Sequence, residues 1–294
     1  MVQSSVVLVY GTTALRASLI EWRMGERLQK ILANTGFGSR RELEGWISDG
    51  LIRINGREAK LGDRAVLNDD LVIKGRFYRV VADDQRNARQ VLMYHKPLGE
   101  LTTRDDPEGR RTVFDRLPRL AQGRWISVGR LDINTLGLLL LTNDGQLANA
   151  LMHPSSEIER EYAVRVNGRV SPEVLNNLRN GVELEDGPAK FDRVKSEEAG
   201  EGSNQWFSVT VKQGKNRIVR RLWESQELQV SRLIRTRYGS VKLPKWLGRG
   251  KKELLADNDV STLVKLSGLD TRPTDQLRIV AVHPRHKRKA NRKR

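Results

Sequence analysis

Cysteine is absent from the 294-residue chain. That excludes a disulfide framework, Cys-ligated zinc, iron–sulfur clusters and thiol catalysis at once. Aromatic residues are sparse at 5% and hydrophobic content is 38%, lean but sufficient for packed cores in a chain of this length. Long apolar runs are missing as well. The longest near the middle, Leu136 to Leu141, is interrupted by Gly137 and falls far short of the roughly 20 residues a membrane span needs. The four histidines (His95, His153, His283, His286) are scattered, and no His-x-x-x-His pair, Walker A or Gly-x-Ser-x-Gly sequence occurs. No metal or coenzyme is therefore expected.

Acid is in short supply. Lys and Arg number 53 against 36 Asp and Glu, so the formal charge is 53 − 36 = +17. This exceeds the charge of about 2–8 that keeps a small domain soluble. It points first to nucleic acid and only weakly to an anionic membrane surface. After Asp275 the chain contains no acid, and seven of the ten residues from Arg285 to Arg294 are Lys or Arg. Such a run cannot bury apolar surface, repels itself, and is expected to be disordered until it meets phosphate.

Length alone suggests about two domains. Residues 1–23 lack a positive segment ahead of Val6-Val7-Leu8-Val9, and no clean cleavage site follows, so a secretory signal is not expected and the cytoplasm is. Those residues are expected to be an upstream extension, disordered or a misassigned start. From residue 26 to about 82, Leu28, Ile31 and Leu32 recur at helical spacing. A turn at Gly36-Phe37-Gly38 precedes Ser39-Arg40-Arg41-Glu42, a capping box in which Ser39 and Glu42 close the start of a second helix. Leu43, Trp46 and Ile47 give that helix its buried face. Asn55-Gly56 between short apolar stretches predicts a hairpin, because a type I′ turn needs positive φ twice. The Gly36-x-Gly38 pair is not a dinucleotide loop: Arg41 stands where the third glycine belongs, and no strand precedes it. A polar, aperiodic linker is expected over 83–90.

From Val91 the pattern becomes mostly strands with a few helices, an α+β reading. Strands are predicted at Val91–His95, Trp125–Val128, Leu138–Thr142, Glu161–Val166 and Trp206–Val211. Helices are predicted at Gln146–Met152, Pro172–Arg179 and Asn216–Glu224. The densest chemistry is Gly129-Arg130-Leu131-Asp132-Ile133-Asn134-Thr135-Leu136-Gly137. As a calcium loop it fails at Leu136, where a ligand belongs, and at Asn143, where the closing Glu should be.

These motifs carry two resemblances. Two short helices and a hairpin, with arginines opening the second helix, resemble the S4 RNA-binding module. That resemblance implies that Lys30, Ser39, Arg40 and Arg41 face RNA phosphates, helped by the free N–H groups of a helix N-terminus. The Gly129–Leu139 stretch resembles the catalytic loop of the ribosomal RNA pseudouridine synthases that carry an N-terminal S4 domain. Arg160-Glu161-Tyr162 matches that family's tyrosine motif, Gly214–Leu222 its basic helix, and Arg232–Gly239 its closing segment. Arg104-x-Asp106-Pro107-Glu108-Gly109-Arg110, Phe114–Pro118 and Arg221-Leu222-Trp223-Glu224 resemble the members acting on the large ribosomal subunit. The similarity runs in order from Met24 to about Leu255. It implies a mixed, mainly antiparallel catalytic domain over 91–256, followed by a C-terminal segment, 257–294, ending in the basic tail.

The chemistry implied is isomerisation of a uridine in large-subunit ribosomal RNA. The C1′–N1 bond breaks, the uracil rotates, and it reattaches through C5. Glycoside hydrolysis uses two carboxylates, one of them to protonate a departing group. Here the uracil never leaves, so one can be enough. Asp132 is that group, as nucleophile at C1′ or as base at C2′. In a dry pocket an arginine must keep it ionised. The resemblance assigns this to Arg220, with Arg217 second. Ile218, Val219, Leu222 and Trp223 are expected to form the buried face of the helix, leaving Arg217, Arg220 and Arg221 on the other, toward the cleft and RNA. Tyr162 is a core tyrosine on the bland reading; the resemblance has it stack on the flipped uracil. Arg130 is expected to fill the gap in the RNA when the base swings out. The partner is ribosomal RNA, free or in a pre-ribosomal particle, and nothing demands more than a monomer. The competing reading is a non-catalytic S4-type RNA-binding or ribosome-assembly protein.

Overall fold

Apolar residues at positions 28, 31 and 32 put one face of the first helix, α1 (Leu28–Thr35), entirely out of solvent. Burial of each such side chain stabilises the fold by about 1.5–3 kcal/mol. The computed structural model describes residues 25–82, 89–121, 123–197, 204–269 and 277–282. The expected extension 1–23, most of the linker and the tail 285–294 lie outside the described residues. The chain divides into two units. One comprises residues up to Asn87 with 121–124 and 273 onward, and the other residues 88–120 with 125–272.

In the first unit, α1 ends at Gly36, whose φ of 98° is the left-handed conformation a helix stop favours. Helix α2 (Arg40–Ser48) then opens with the full capping box. Glu42 N–H donates to Ser39 Oγ at 3.1 Å, and Ser39 N–H donates to the Glu42 carboxylate at 3.2 Å. Strands β1 (Ile52–Ile54) and β2 (Arg57–Glu58) form the hairpin, and Asn55 and Gly56 both take positive φ, 49° and 88°. Strands β3 (Asp70–Ile73) and β4 (Arg76–Ala82) extend the sheet, whose order, counting β13 (Leu277–Ala281), is β13-β4-β3-β1-β2. The edge strand β13 was not foreseen. Leu277 pairs with Ala82 and Ile279 with Val80, and both side chains join the core of α1 and α2. The segment from 257 onward, read as one piece in the sequence, is thus divided between the units. A five-residue strand with two inward apolar positions is invisible beside a run of positive charge.

The second unit is built on one sheet, running β9-β10-β8-β11-β7-β5-β12 along its main path. Its strands are β5 (Val91–Lys96), β6 (Ile126–Val128, paired to β7), β7 (Leu136–Thr142), β8 (Arg160–Asn167), β9 (Arg193–Ser196), β10 (Asn204–Val211), β11 (Val230–Tyr238) and β12 (Lys252–Leu254). The pairings are antiparallel except β7 with β11, which makes the sheet mixed and mainly antiparallel, as expected. All seven residues of β7 are buried, because both faces of the sheet are covered. Leu139 and Leu141 face one core with Phe207, Trp223 of helix α5 (Ile218–Glu224) and Leu178 of helix α4 (Pro172–Asn180). Leu138 and Leu140 face the other, with Leu147 and Leu151 of helix α3 (Gly145–Met152) and Leu263 of helix α6 (Asp257–Leu266). Gly137 is obligatory in this arrangement. A Cβ there would lie 2.2 Å from the carbonyl oxygen of Arg235, so β11 could not approach β7.

The predicted helix at Asn216 starts two residues later. Arg217 adopts φ 47°, ψ 28° and caps α5 from outside it. A non-glycine residue held there is strained, and here the strained residue lines the cleft described below.

Candidate active site

The loop between β6 and β7 carries Asp132, and its backbone is secured residue by residue. Thr102 Oγ1 donates to Leu131 O at 2.9 Å, Thr135 N–H to Asp132 O at 3.0 Å, and Gly99 N–H to Ile133 O at 2.9 Å. Arg220 Nη2 donates to Asn134 O at 2.9 Å and Lys96 Nζ to Thr135 O at 3.0 Å. Five consecutive carbonyls thus accept five separate donors, drawn from the 99–102 loop, β5, α5 and the loop itself. A carboxylate mounted this way needs little reorganisation when a substrate arrives. Lys96, Gly99 and Thr102 carried no motif signal of their own; their part depends on which strands are adjacent.

Asp132 opens into a cleft of about 820 Å³. Among the described residues lining it, Asp132 is the one acid, set among Arg130, Arg160, Lys215, Arg217 and Arg235. Arg217 Nη1 stands 3.8 Å from Asp132 Oδ2, with both side chains about one-third exposed, at 39% and 33%. Arg220 was expected in this place and is not there. Its guanidinium is buried inside α5's packing face, with Nη1 on Val230 O and Nη2 on Asn134 O, both at 2.9 Å. Burial, and to a lesser degree the charge of Arg217, push the Arg220 guanidinium down from its ordinary value, while Asp132 pulls it up. Arg220 therefore holds the Asp132 loop, and Arg217 faces the carboxylate.

Tyr162 lies on β8, 8% exposed, packed in the core with Val164 and Val166 and reaching the cleft at its inner wall. Opposite it on β11 is Arg235, 2% exposed, whose Nε donates to Leu138 O at 2.7 Å. Arg235 was within a recognised segment but was not singled out. Lys96 is fully buried, and burial pushes its ammonium down to about 8 against the opposing pull of Glu100 and Asp132. Arg130 is exposed at the cleft rim. Arg221 is engaged away from Asp132, donating twice to the Asp186 carboxylate at 2.6 and 3.0 Å and drawing that acid down to about 2. No group of three or more His, Asp or Glu side chains suited to a metal occurs among the described residues.

In the first unit, Arg40 and Arg41 are exposed in the first turn of α2, where unpaired N–H groups add to their charge. Ser39 uses its hydroxyl for the cap, and Lys30 is ion-paired with Glu26 one turn back. Arg124 was missed. Its guanidinium is pushed down chiefly by burial and then by the charge of Arg40, while Glu42 pulls it up, although it is remote from both in sequence.

Comparison with known proteins agrees with this arrangement. Residues 26–71 match the S4 domain and residues 90–225 match RNA pseudouridylate synthase. A protein of Escherichia coli (strain K12) named ribosomal large subunit pseudouridine synthase B is 52% identical over 272 residues, covering 91% of each chain. The like-named protein of Pasteurella multocida (strain Pm70) is 56% identical over 247 residues, 83% of this chain and 71% of that one. That of Pseudomonas aeruginosa is 53% identical over 246 residues; 84% of this chain is covered but only 64% of the longer relative. A crystal structure of a pseudouridylate synthase superposes with a TM-score of 0.57 at 26% identity, over 81% of this chain and 99% of that chain. With an S4 module, a matching synthase domain and relatives more than half identical along most of its length, the chain belongs to the S4-domain-containing ribosomal RNA pseudouridine synthases.

Proposed function

We propose that this protein converts one uridine of large-subunit ribosomal RNA to pseudouridine, with Asp132 as the reacting carboxylate. The reading is carried by one acid, fixed on a fully hydrogen-bonded loop, in a cleft whose other charged lining residues, among those described, are all cations. RNA phosphates favour such a rim, and a carboxylate would be excluded from it unless it had a task. The target uridine swings out of its stack into the cleft, at a cost of a few kcal/mol offset by phosphate contacts and by stacking on Tyr162. Arg130 occupies the vacated position in the RNA. Asp132 then acts on the sugar, by attack at C1′ or by removing the C2′ proton, and Arg217 keeps a positive charge beside it. The uracil turns within the pocket, rejoins through C5, and Tyr162 handles the C5 proton. Lys30, Ser39, Arg40 and Arg41 hold RNA at the S4 module.

The relatives' shared name favours the large-subunit RNA as substrate. Tritium release from C5-labelled ribosomal RNA is the test. Wild type should release tritium and Asp132→Ala should not, with RNA binding retained. Binding without release by wild type would instead favour the non-catalytic RNA-binding reading.

A further inference from the structure

Trp246 is 67% exposed, whereas Trp125 and Trp223 are buried in the same unit. It is not loosely held. The next residue, Leu247, is buried, and its carbonyl meets His95 Nδ1 at 2.7 Å. Gly250 N–H donates to His95 O at 2.8 Å, and His95 N–H donates to Lys251 O at 3.0 Å. The loop therefore presents an indole to solvent from a fixed backbone. From Lys242 to Lys252 the segment contains five cations (Lys242, Lys245, Arg249, Lys251, Lys252) and no acid. Lys245, Arg249 and Lys251 are exposed and enter no ion pair among the described residues. An apolar partner surface would not call for so uniform a charge. A flat aromatic ring bracketed by cations is instead the chemistry of single-stranded nucleic acid, bases stacking on the ring while phosphates meet the charges. His95 is also the neighbour of Lys96, which holds the Asp132 loop at Thr135 O. The platform and the catalytic loop are thus anchored to adjacent residues of β5.

We infer that Trp246, with Lys245, Arg249 and Lys251, is a second RNA contact on the catalytic unit, stacking an unpaired base of the substrate. This rests on the reading of the chain as an RNA-modifying enzyme and names a contact that reading does not include. The test measures binding of a fluorescein-labelled 12-nucleotide oligouridine and of a 12-base-pair RNA duplex, together with tritium release from transcribed large-subunit RNA. Trp246→Ala should weaken oligouridine binding roughly five- to hundredfold while duplex binding changes less than twofold. Trp246→Phe should restore most of the affinity, and the loss in turnover should fall on KM rather than on the saturated single-turnover rate. Unchanged oligouridine affinity in Trp246→Ala, or equal loss for duplex and single strand, overturns the inference. Absence of tritium release from wild type would instead defeat the assigned activity and leave the binding comparison standing.

Discussion

Arg217, not Arg220, stands across from Asp132: its Nη1 is 3.8 Å from Asp132 Oδ2, while both terminal nitrogens of Arg220 are committed to the carbonyls of Val230 and Asn134. Two arginines three residues apart thus do different work. The left-handed backbone at Arg217 removes it from α5 and turns it into the cleft, whereas Arg220 stays in the helix and packs.

Substituting each in turn should separate these roles. Arg217→Ala breaks a pair about one-third exposed and contributing about 0.2–1 kcal/mol to stability, so Tm should barely move while kcat/KM falls at least tenfold. Arg220→Ala strands two carbonyls and leaves a void, which should destabilise the protein by about 2–5 kcal/mol. Thermal melts alongside tritium-release kinetics would check both. Equal Tm losses in the two variants would contradict the assignment.

Gly137→Ala should be among the most damaging small substitutions in the chain. The added methyl meets Arg235 O at 2.2 Å and Arg235 N at 2.6 Å, both backbone atoms at the parallel β7–β11 junction, and φ is 107°. A loss of more than about 2 kcal/mol is expected, read by chemical denaturation. A variant as stable as wild type would mean that the strands can separate freely here.

Lys96 supplies a pH signature. Its folded-state pKa, about 8, lies below the ordinary lysine value of about 10.4, so between these the unfolded chain binds the extra proton. Stability therefore rises with pH across that window, and the penalty for a buried ammonium is fully present below about pH 8. Compared with Lys96→Met, wild type should gain relative stability from pH 8 to 10. Denaturant midpoints at several pH values measure it, and parallel curves would rule out titration of Lys96.

At the S4 module, Arg40→Ala combined with Arg41→Ala should weaken RNA binding and lower the salt slope of log K by up to about two units. Filter binding from 50 to 300 mM salt suffices. A slope equal to that of wild type would remove both arginines from the RNA interface.

Much of this protein can be read along the chain. The capping box at Ser39, the Asn55-Gly56 turn, the apolar periodicity of α1 and the all-buried run of β7 are local signals. They depend on dihedral preferences and on spacing that neighbouring residues settle among themselves. The RNA-seeking charge and the Asp132 and Tyr162 motifs are likewise present in the linear sequence. What folding alone decided concerns pairs remote in sequence: Lys96 beneath Thr135, Gly137 against Arg235, β13 completing a sheet some two hundred residues upstream, and Arg217 taking the place expected of Arg220. A helical repeat says which residues share a face, but not which of two nearby cations leaves the helix. That choice is made where a buried guanidinium finds two carbonyls to satisfy and an exposed one finds a carboxylate, and both depend on strands brought together in space.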